Sequence, residues 1–165
     1  MARTARTVAA DPLPAESQRL LCVPAAQRDK DVQASLVKLT KTIDFFGAMS
    51  EECHLKLARS WRYAFFRPGD TVCLAEEATK SVFVVLAGEV DLSERTVHHL
   101  EGKIGTEGFR RKVVARRGKA FGHYPLVLGE PTYGYSAQAS AATGCSLLLV
   151  PRAEYHAVLR RELEK

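Results

Sequence analysis

The sequence predicts a mainly β protein, a small jelly-roll β-barrel with helices before it and one short helix after it. Apolar residues recur at helical steps only near the two ends of the chain. Between them, short β-rich segments alternate with turns that contain Gly or Pro. The chain has 165 residues, 46% of them hydrophobic, which suffices for one domain with its own core.

The start of the chain is predicted to lie outside this domain. Residues 1–31 mix Ala, Thr, Pro and charged residues without a period, and we expect a flexible N-terminal tail there. A helical period begins at Gln33, so the folded domain is expected to occupy residues 32–165.

Cysteine usage and hydropathy favour a cytoplasmic protein. The four cysteines are widely scattered and form no C-x-x-C pair, so reduced thiols are expected rather than a disulfide or zinc framework. They are Cys22, Cys53, Cys73 and Cys145. The apolar runs are too short to span a bilayer. A net charge of +5 permits an acidic partner without requiring one.

Two helices are predicted ahead of the barrel. The first is expected to span residues 33–47 and to end at Phe45-Phe46-Gly47. Ser50 is expected to cap the second, because Glu51 and Glu52 suit the positive end of a helix dipole. The predicted apolar faces are Leu36, Leu39 and Ile43 in the first helix and Leu55, Ala58 and Trp61 in the second.

Short strands are predicted over the middle of the chain. Turns are expected at residues 67–70, 87–89 and 116–118 from their Gly and Pro content. The predicted strands are residues 71–74, 81–86, 90–92, 113–115 and 146–150. Pro151 is expected to start the last helix, where Tyr155, Val158 and Leu159 form the apolar face.

Five motifs occur in a fixed order and carry a resemblance to a known family. They are Phe45-Phe46-x-x-Met49-Ser50, Arg67-Pro68-Gly69-Asp70-x-Val72, Val82-Phe83-Val84-Val85-Leu86-Ala87-Gly88-Glu89-Val90, Gly118-x-x-Phe121-Gly122 and Leu148-Leu149-Val150-Pro151-Arg152-x-x-Tyr155. Over about residues 35–160 the chain resembles the cyclic-nucleotide-binding domains of protein kinase A regulatory subunits, catabolite activator proteins and cyclic-nucleotide-gated channels. The nineteen-residue step from Gly69 to Gly88 is the usual spacing of that family.

The resemblance implies a pocket that binds a cyclic phosphate through three devices. In the family, an arginine late in a phosphate-binding cassette pairs with the phosphate, and a glutamate directly after Phe-Gly holds the ribose hydroxyl. Backbone amides of the turn between them face the phosphate.

This chain departs from each device. No Lys or Arg occurs in the thirty-two residues between Lys119 and Arg152, so the arginine position falls on Thr132 or Tyr133. His123 takes the glutamate position, and Pro125 has no N–H to offer in the turn.

The expected pocket is therefore degenerate, and Glu76, at a position where the family prefers glycine, is expected to add a negative charge near it. Its expected residues are Phe121, Gly122, His123, Tyr124, Pro125, Thr132, Tyr133, Gly134 and Glu76. A protonated His123 could replace the missing cation, although polar filling of a collapsed pocket is the commoner role. Tyr124, Tyr133 and Tyr135 could stack on a nucleoside, or fill space where a ligand has been lost.

A basic segment precedes the cassette and offers a second candidate surface. Its residues are Lys103, Arg110, Arg111, Lys112, Arg116, Arg117 and Lys119. Docking of an acidic partner is one interpretation, and a solvated strand face is the commoner one. No DNA-binding or RNA-binding motif accompanies the segment.

The sequence thus predicts a non-catalytic regulatory or scaffolding module that does not bind cAMP or cGMP in the usual pose, with its output supplied by another protein. The alternative is a sensor of a cyclic nucleotide, nucleoside or other small molecule in a modified pocket. No enzyme activity, cofactor or metal is expected. Adjacent residues such as His98 and His99 would point to opposite faces of a strand, which disfavours a shared metal.

Overall fold

The longest strand, β3 (Ser81–Arg95), lies at the centre of the structure and joins both halves of a curled antiparallel sheet. Its first half pairs with β9 (Cys145–Pro151), which pairs in turn with β1 (Arg62–Phe66). Its second half lies between β6 (Arg110–Arg116) and β8 (Tyr135–Ala139). The order β6–β3–β8 is extended by β2 (Thr71–Cys73), which pairs with β8.

The computed structural model describes residues 11–95, 99–100, 103–104 and 110–163. Two short strands, β4 (His99–Leu100) and β5 (Lys103–Ile104), pair with each other, and β7 (Ala120–Phe121) pairs with β3. The helices are α1 (Ala15–Leu21), α2 (Lys30–Thr40), α3 (Asp44–Gly47), α4 (Glu51–Ala58), α5 (His123–Leu128) and α6 (Arg152–Leu163). The predicted jelly-roll barrel with flanking helices is confirmed.

The sheet separates two hydrophobic cores, because successive strand residues point to opposite faces. Val84 and Leu148 pack on the side of the sheet that the helices cover. Trp61, in the segment after α4, belongs to the same cluster. Phe83 and Leu147, one residue earlier on each strand, pack inside the barrel. The barrel core also contains Phe121 and Tyr133, two of the residues of the expected ligand pocket.

The predicted tail is wrong for residues 11–31. Helix α1 contacts α2, and Leu21 at its end is only 1% exposed. Arg28 is buried and donates from Nη1 to the carbonyl of Ala58 at 2.9 Å. The seven residues of α1 are too few to show a helical period, which explains the error. Residues 1–10 lie outside the described residues.

The predicted turn at residues 87–89 is a β-bulge within β3. The pairing register with β9 shifts between Val85 and Ala87, and Gly88 adopts a φ of +77°. A Cβ at Gly88 would lie 2.2 Å from the carbonyl oxygen of Gly144. Gly88 is therefore required for two reasons, the positive φ and the close approach of the Gly144 backbone. The strand bends here instead of reversing.

Helix boundaries differ from the prediction in detail. The expected first helix is two helices, and α2 begins earlier, after Asp29, whose side chain accepts from the N–H of Val32. Ser50 caps α4 as predicted, by accepting from Cys53 N–H at 3.3 Å. The buried face of α4 includes His54 and Leu57 rather than Leu55. Pro151 is the last residue of β9 and α6 follows it.

Candidate functional site

The expected cassette begins where β7 enters α5, and Gly122 makes the junction possible. Gly122 has a φ of +86°, and a Cβ there would lie 3.1 Å from the carbonyl oxygen of Ser81 and 3.2 Å from the ring of Tyr133. Phe121 stacks on Phe83, with ring centroids 4.9 Å apart. The space beneath Phe121-Gly122, where a family ligand pocket is expected, is thus lined by aromatic rings.

Tyr133 fills this space from the cassette's far end. Its side chain is buried, and its ring centroid lies 5.8 Å from that of Phe83. Its hydroxyl accepts from the N–H groups of Lys80 and Ser81, each at 3.2 Å, and donates to the carbonyl of Ser81 at 3.2 Å. Burial raises the pKa of this phenol. Tyr133 therefore ties the cassette to the start of β3.

Tyr135 occupies the other part of the same space. Its hydroxyl accepts a hydrogen bond from the backbone N–H of Gly122. Burial raises the pKa of Tyr135 to about 12, so the phenol is neutral at ordinary pH. The alternation along β8 places Ala137 and Ala139 on the same inner face as Tyr135, and both alanines are buried.

The backbone of the cassette exit is paired with the loop after β2. Tyr133 N–H donates to the carbonyl of Glu77 at 3.1 Å, and Gly134 N–H donates to that of Ala75 at 3.0 Å. Thr132 forms a β-bridge with Ala78. These amides are engaged within the chain and do not point to an open anion site.

The remaining cassette residues lie in the first turn of α5. His123 is half-buried, and burial lowers its pKa from the usual value of 6.5. Pro125 is buried, and its carbonyl accepts from Glu130 N–H at 2.7 Å. Tyr124 lies between these two residues on the helix. The lowered pKa disfavours His123 as a cation.

Glu76 does not point into the space beneath Gly122. It is exposed and lines a cavity of about 310 Å³ together with Ser93, Ser136 and Gln138. Ser136 and Gln138 alternate along β8 with the buried alanines of the barrel core, so this cavity lies on the outer side of the sheet. Glu76 is near the cassette only because its chain neighbours Ala75 and Glu77 accept hydrogen bonds from Gly134 and Tyr133. Its side chain lies outside the expected pocket.

The basic segment lies on and beside β6. This strand contains Arg110, Arg111, Lys112 and Arg116, and Arg117 follows in the turn to β7. Arg116 Nε lies 3.1 Å from Glu89 Oε1 on β3, in an exposed ion pair. Lys103 belongs to β5, and His98 lies outside the described residues.

Sequence reasoning missed the partners that fix the tyrosines. The N–H groups of Lys80 and Ser81 and the ring of Phe83 belong to β3 or its approach, about fifty residues before the cassette exit. No local pattern joins segments so far apart. A usable signal was the run of aromatic residues at alternate positions, Tyr133 and Tyr135, leading into a strand.

Comparison with known proteins defines the class. Residues 64–162 match the family described as the cyclic nucleotide-binding domain, which is more than half of the chain. The chain belongs to this family.

No curated protein matches the chain. Within the described residues, no helix is both long enough and apolar enough to cross a membrane.

Solved structures show the same fold at low identity. The regulatory domain of Toxoplasma gondii protein kinase A with cAMP has a TM-score of 0.63 and 16% identity, covering 77% of this chain and 45% of that chain. The regulatory subunit of a cAMP-independent protein kinase A from Trypanosoma cruzi, bound to guanosine, has a TM-score of 0.62 and 17% identity, covering 77% and 41%. This chain thus spans less than half of either protein.

A third structure concerns the corresponding cAMP-independent regulatory subunit from Trypanosoma brucei. It has a TM-score of 0.61 and 18% identity, and covers 81% of this chain and 47% of that chain. It is a triple mutant with cAMP bound in the A site, and one of its three substitutions replaces a threonine by arginine.

Proposed function

We propose that this chain is a non-catalytic member of the cyclic-nucleotide-binding family that acts as a regulatory or scaffolding module, with its nucleotide site filled by its own side chains. One observation carries the proposal. The hydroxyl of Tyr135 holds the N–H of Gly122 while the ring of Tyr133, 4% exposed, lies directly beneath that glycine. A nucleotide in the usual pose would have to displace both tyrosines.

The groups that would bind a phosphate support the same conclusion. The N–H groups of Gly122, Tyr133 and Gly134 all donate within the chain. No Lys or Arg occurs in residues 120–151. A hydrogen bond to a charged group is worth about 1.5–3 kcal/mol, so loss of two such contacts weakens binding roughly a hundred- to ten-thousandfold. A submicromolar site would then move towards ~100 μM.

His123 does not compensate for the missing arginine. Because burial lowers its pKa, the imidazole is neutral at pH 7 and carries no charge for a phosphate. The alternative of a protonated His123 is therefore disfavoured, and a polar residue at the rim of a filled pocket is the role that we propose.

Titration calorimetry tests the proposal directly. The full chain is titrated with cAMP and, separately, with cGMP at pH 7. We expect no heat of saturable binding below about 100 μM for either nucleotide. A low-micromolar dissociation constant for either would overturn the proposal, because it would require both tyrosines to leave the pocket at little cost.

A nucleoside sensor is the second candidate function. The lost groups are those that suit a phosphate, and the Trypanosoma cruzi regulatory subunit is bound to guanosine. Tyr133 and Tyr135 would then stack on a base after moving aside. Thermal shift with adenosine, guanosine and inosine separates the two functions, since ligand at one hundred times its dissociation constant stabilises by about 2.7 kcal/mol. No shift at ~1 mM nucleoside would exclude this candidate.

The buried thiols support a non-catalytic role. Burial raises the pKa of Cys73 and of Cys145 to about 12, so both are thiols rather than nucleophilic thiolates at pH 7. We therefore propose that the module works by contact with another protein, which supplies the output.

A further inference from the structure

Strand β6 is the longest edge of the sheet. It pairs with β3 at seven positions, from Glu89 opposite Arg116 to Arg95 opposite Arg110. The far side of β3 is occupied by β8, so β3 is an interior strand. Nothing else in the described parts of the chain pairs with β6. The outer edges β1 and β2 are shorter, with five and three residues.

At Val113 and Val114, side chains on both faces of β6 are open to solvent. Val113 is 49% exposed and Val114 is 40% exposed, although neighbouring strand residues point to opposite faces. Ala115, the next residue, is 5% exposed and belongs to the barrel core. The strand therefore leaves the core between Ala115 and Val114 and offers two apolar side chains and an edge that no other described strand pairs with.

The charge on this edge is strongly positive. Residues 110–117 carry five cations and no acid. Across the ladder, Glu89 forms an ion pair with Arg116, and Glu94 stands opposite Arg111. Arg95 instead stands opposite Arg110, which places two cations at the end of the ladder. The excess of cations is therefore greatest at the start of β6, near Arg110.

Basic residues on an edge strand discourage pairing with another copy of the same strand, because like charges would face each other. The same charges favour a strand of opposite sign. A cationic free edge thus selects by charge which strand can add to the sheet. Nucleic acid and lipid would use the charge but not the unpaired backbone N–H and C=O groups.

We propose that the free edge of β6 binds an acidic, extended peptide segment of a partner protein, which adds to the sheet as a further strand. The backbone groups of β6 supply main-chain hydrogen bonds, and alternate acidic side chains of the peptide face the arginine and lysine positions. Val113 packs against the apolar residues between the acids, which lie on the face opposite that of Arg110, Lys112 and Val114. This site is separate from the tyrosine-filled pocket, and it stands if the proposed function of that pocket fails.

Fluorescence anisotropy with a labelled peptide of alternating Glu and Val, about eight residues long, tests the proposal on the full chain. A second peptide has the same side chains but an N-methyl group on every backbone amide. It keeps the charge and has no backbone N–H on either edge with which to pair as a strand. We expect the first peptide to bind with a dissociation constant below ~100 μM at ~50 mM salt, and the methylated one to bind at least about tenfold more weakly.

The double variant Arg110→Glu, Lys112→Glu should weaken binding of the parent peptide at least about tenfold. The matched control, Lys38→Glu with Lys41→Glu on and after α2, makes the same change in net charge at exposed positions and should leave binding unchanged. Equal affinity for both peptides, equal weakening by both variants, or no binding of the parent peptide would each overturn the proposal. Since the peptide comparison uses the native chain, it decides the question even where a variant does not fold.

Discussion

The backbone N–H of Gly122 donates a hydrogen bond to the hydroxyl of Tyr135, thirteen residues later in the chain. This amide at the start of the cassette is therefore satisfied by a phenol of the same domain. Tyr133 completes the arrangement by bonding to Lys80 and Ser81 at the start of β3. These hydrogen bonds form within the chain and need no ligand, which agrees with the proposed filled pocket.

Removing the Tyr135 hydroxyl should destabilise the domain. In Tyr135→Phe the N–H of Gly122 loses its acceptor inside the barrel, and we expect the free energy of unfolding to fall by about 1–2 kcal/mol. Urea denaturation measures the change. Tyr63→Phe is the matched control, because the buried Tyr63 hydroxyl has no hydrogen-bond partner among the described residues. That variant should be as stable as the native chain or more so; an equal loss in both would contradict the prediction.

Restoring the cation and emptying the pocket should create cyclic-nucleotide binding. The variant Thr132→Arg, Tyr133→Ala, Tyr135→Phe supplies a guanidinium at a candidate arginine position and removes the ring beneath Gly122. We expect cAMP to raise its melting temperature and to bind at least about tenfold more tightly than it binds the native chain. Thr132→Leu in the same background opens the same space without the charge. Equal cAMP binding by the arginine and leucine variants would show that the cation is not what the site lacks.

Acid should destabilise the helical part of the domain through His54. This side chain is 4% exposed, stacks on Phe46 with centroids 4.4 Å apart, and lies 2.7 Å from Thr40 Oγ1. Burial lowers its pKa to about 4, although Glu51 acts in the opposite direction. The unfolded chain therefore binds a proton before the folded one does. The stability present above pH 6.5 should fall as the pH drops to about 4, by up to about 3 kcal/mol.

The pH dependence of urea denaturation between pH 7 and pH ~4 tests this, with His54→Phe as the comparison. The phenyl ring keeps the stack on Phe46 but cannot take up a proton. The loss of stability with acid should be smaller in this variant by the contribution of one histidine. An unchanged pH profile would assign the acid sensitivity to other groups.

Arg28 should be needed to hold the N-terminal helix on the domain. Its guanidinium is buried and donates to the carbonyls of Val23 and Ala58, the latter in the last residue of α4. Arg28→Met should cost about 2 kcal/mol or more, because both carbonyls lose a charged donor. Arg59→Met removes an exposed arginine that bonds Gln33, and should change stability by less than about 0.5 kcal/mol. Similar values for both would mean that the buried bonds contribute little.

Local patterns determined most of the fold. The motifs around Gly69, Gly88 and Gly122 mark backbone positions with positive φ, and each keeps its meaning in isolation because it reports a conformation of a few residues. The predicted helix cap at Ser50 is confirmed, because capping also depends on a few neighbouring residues. The helix α1 was missed because its stability comes from burial of Leu21 against the rest of the domain, and not from its own seven residues.

The sequence by itself determined that this chain has the order of segments of a cyclic-nucleotide-binding domain and has no basic residue between Lys119 and Arg152. It left open whether the tyrosines stack on a ligand or replace it. Only the tertiary structure could decide where their hydroxyls go, since Tyr133 is separated from Lys80 by more than fifty residues and meets it only after the barrel closes. The barrel brings donors and phenols together at hydrogen-bonding distance, and no periodicity in the chain encodes that distance.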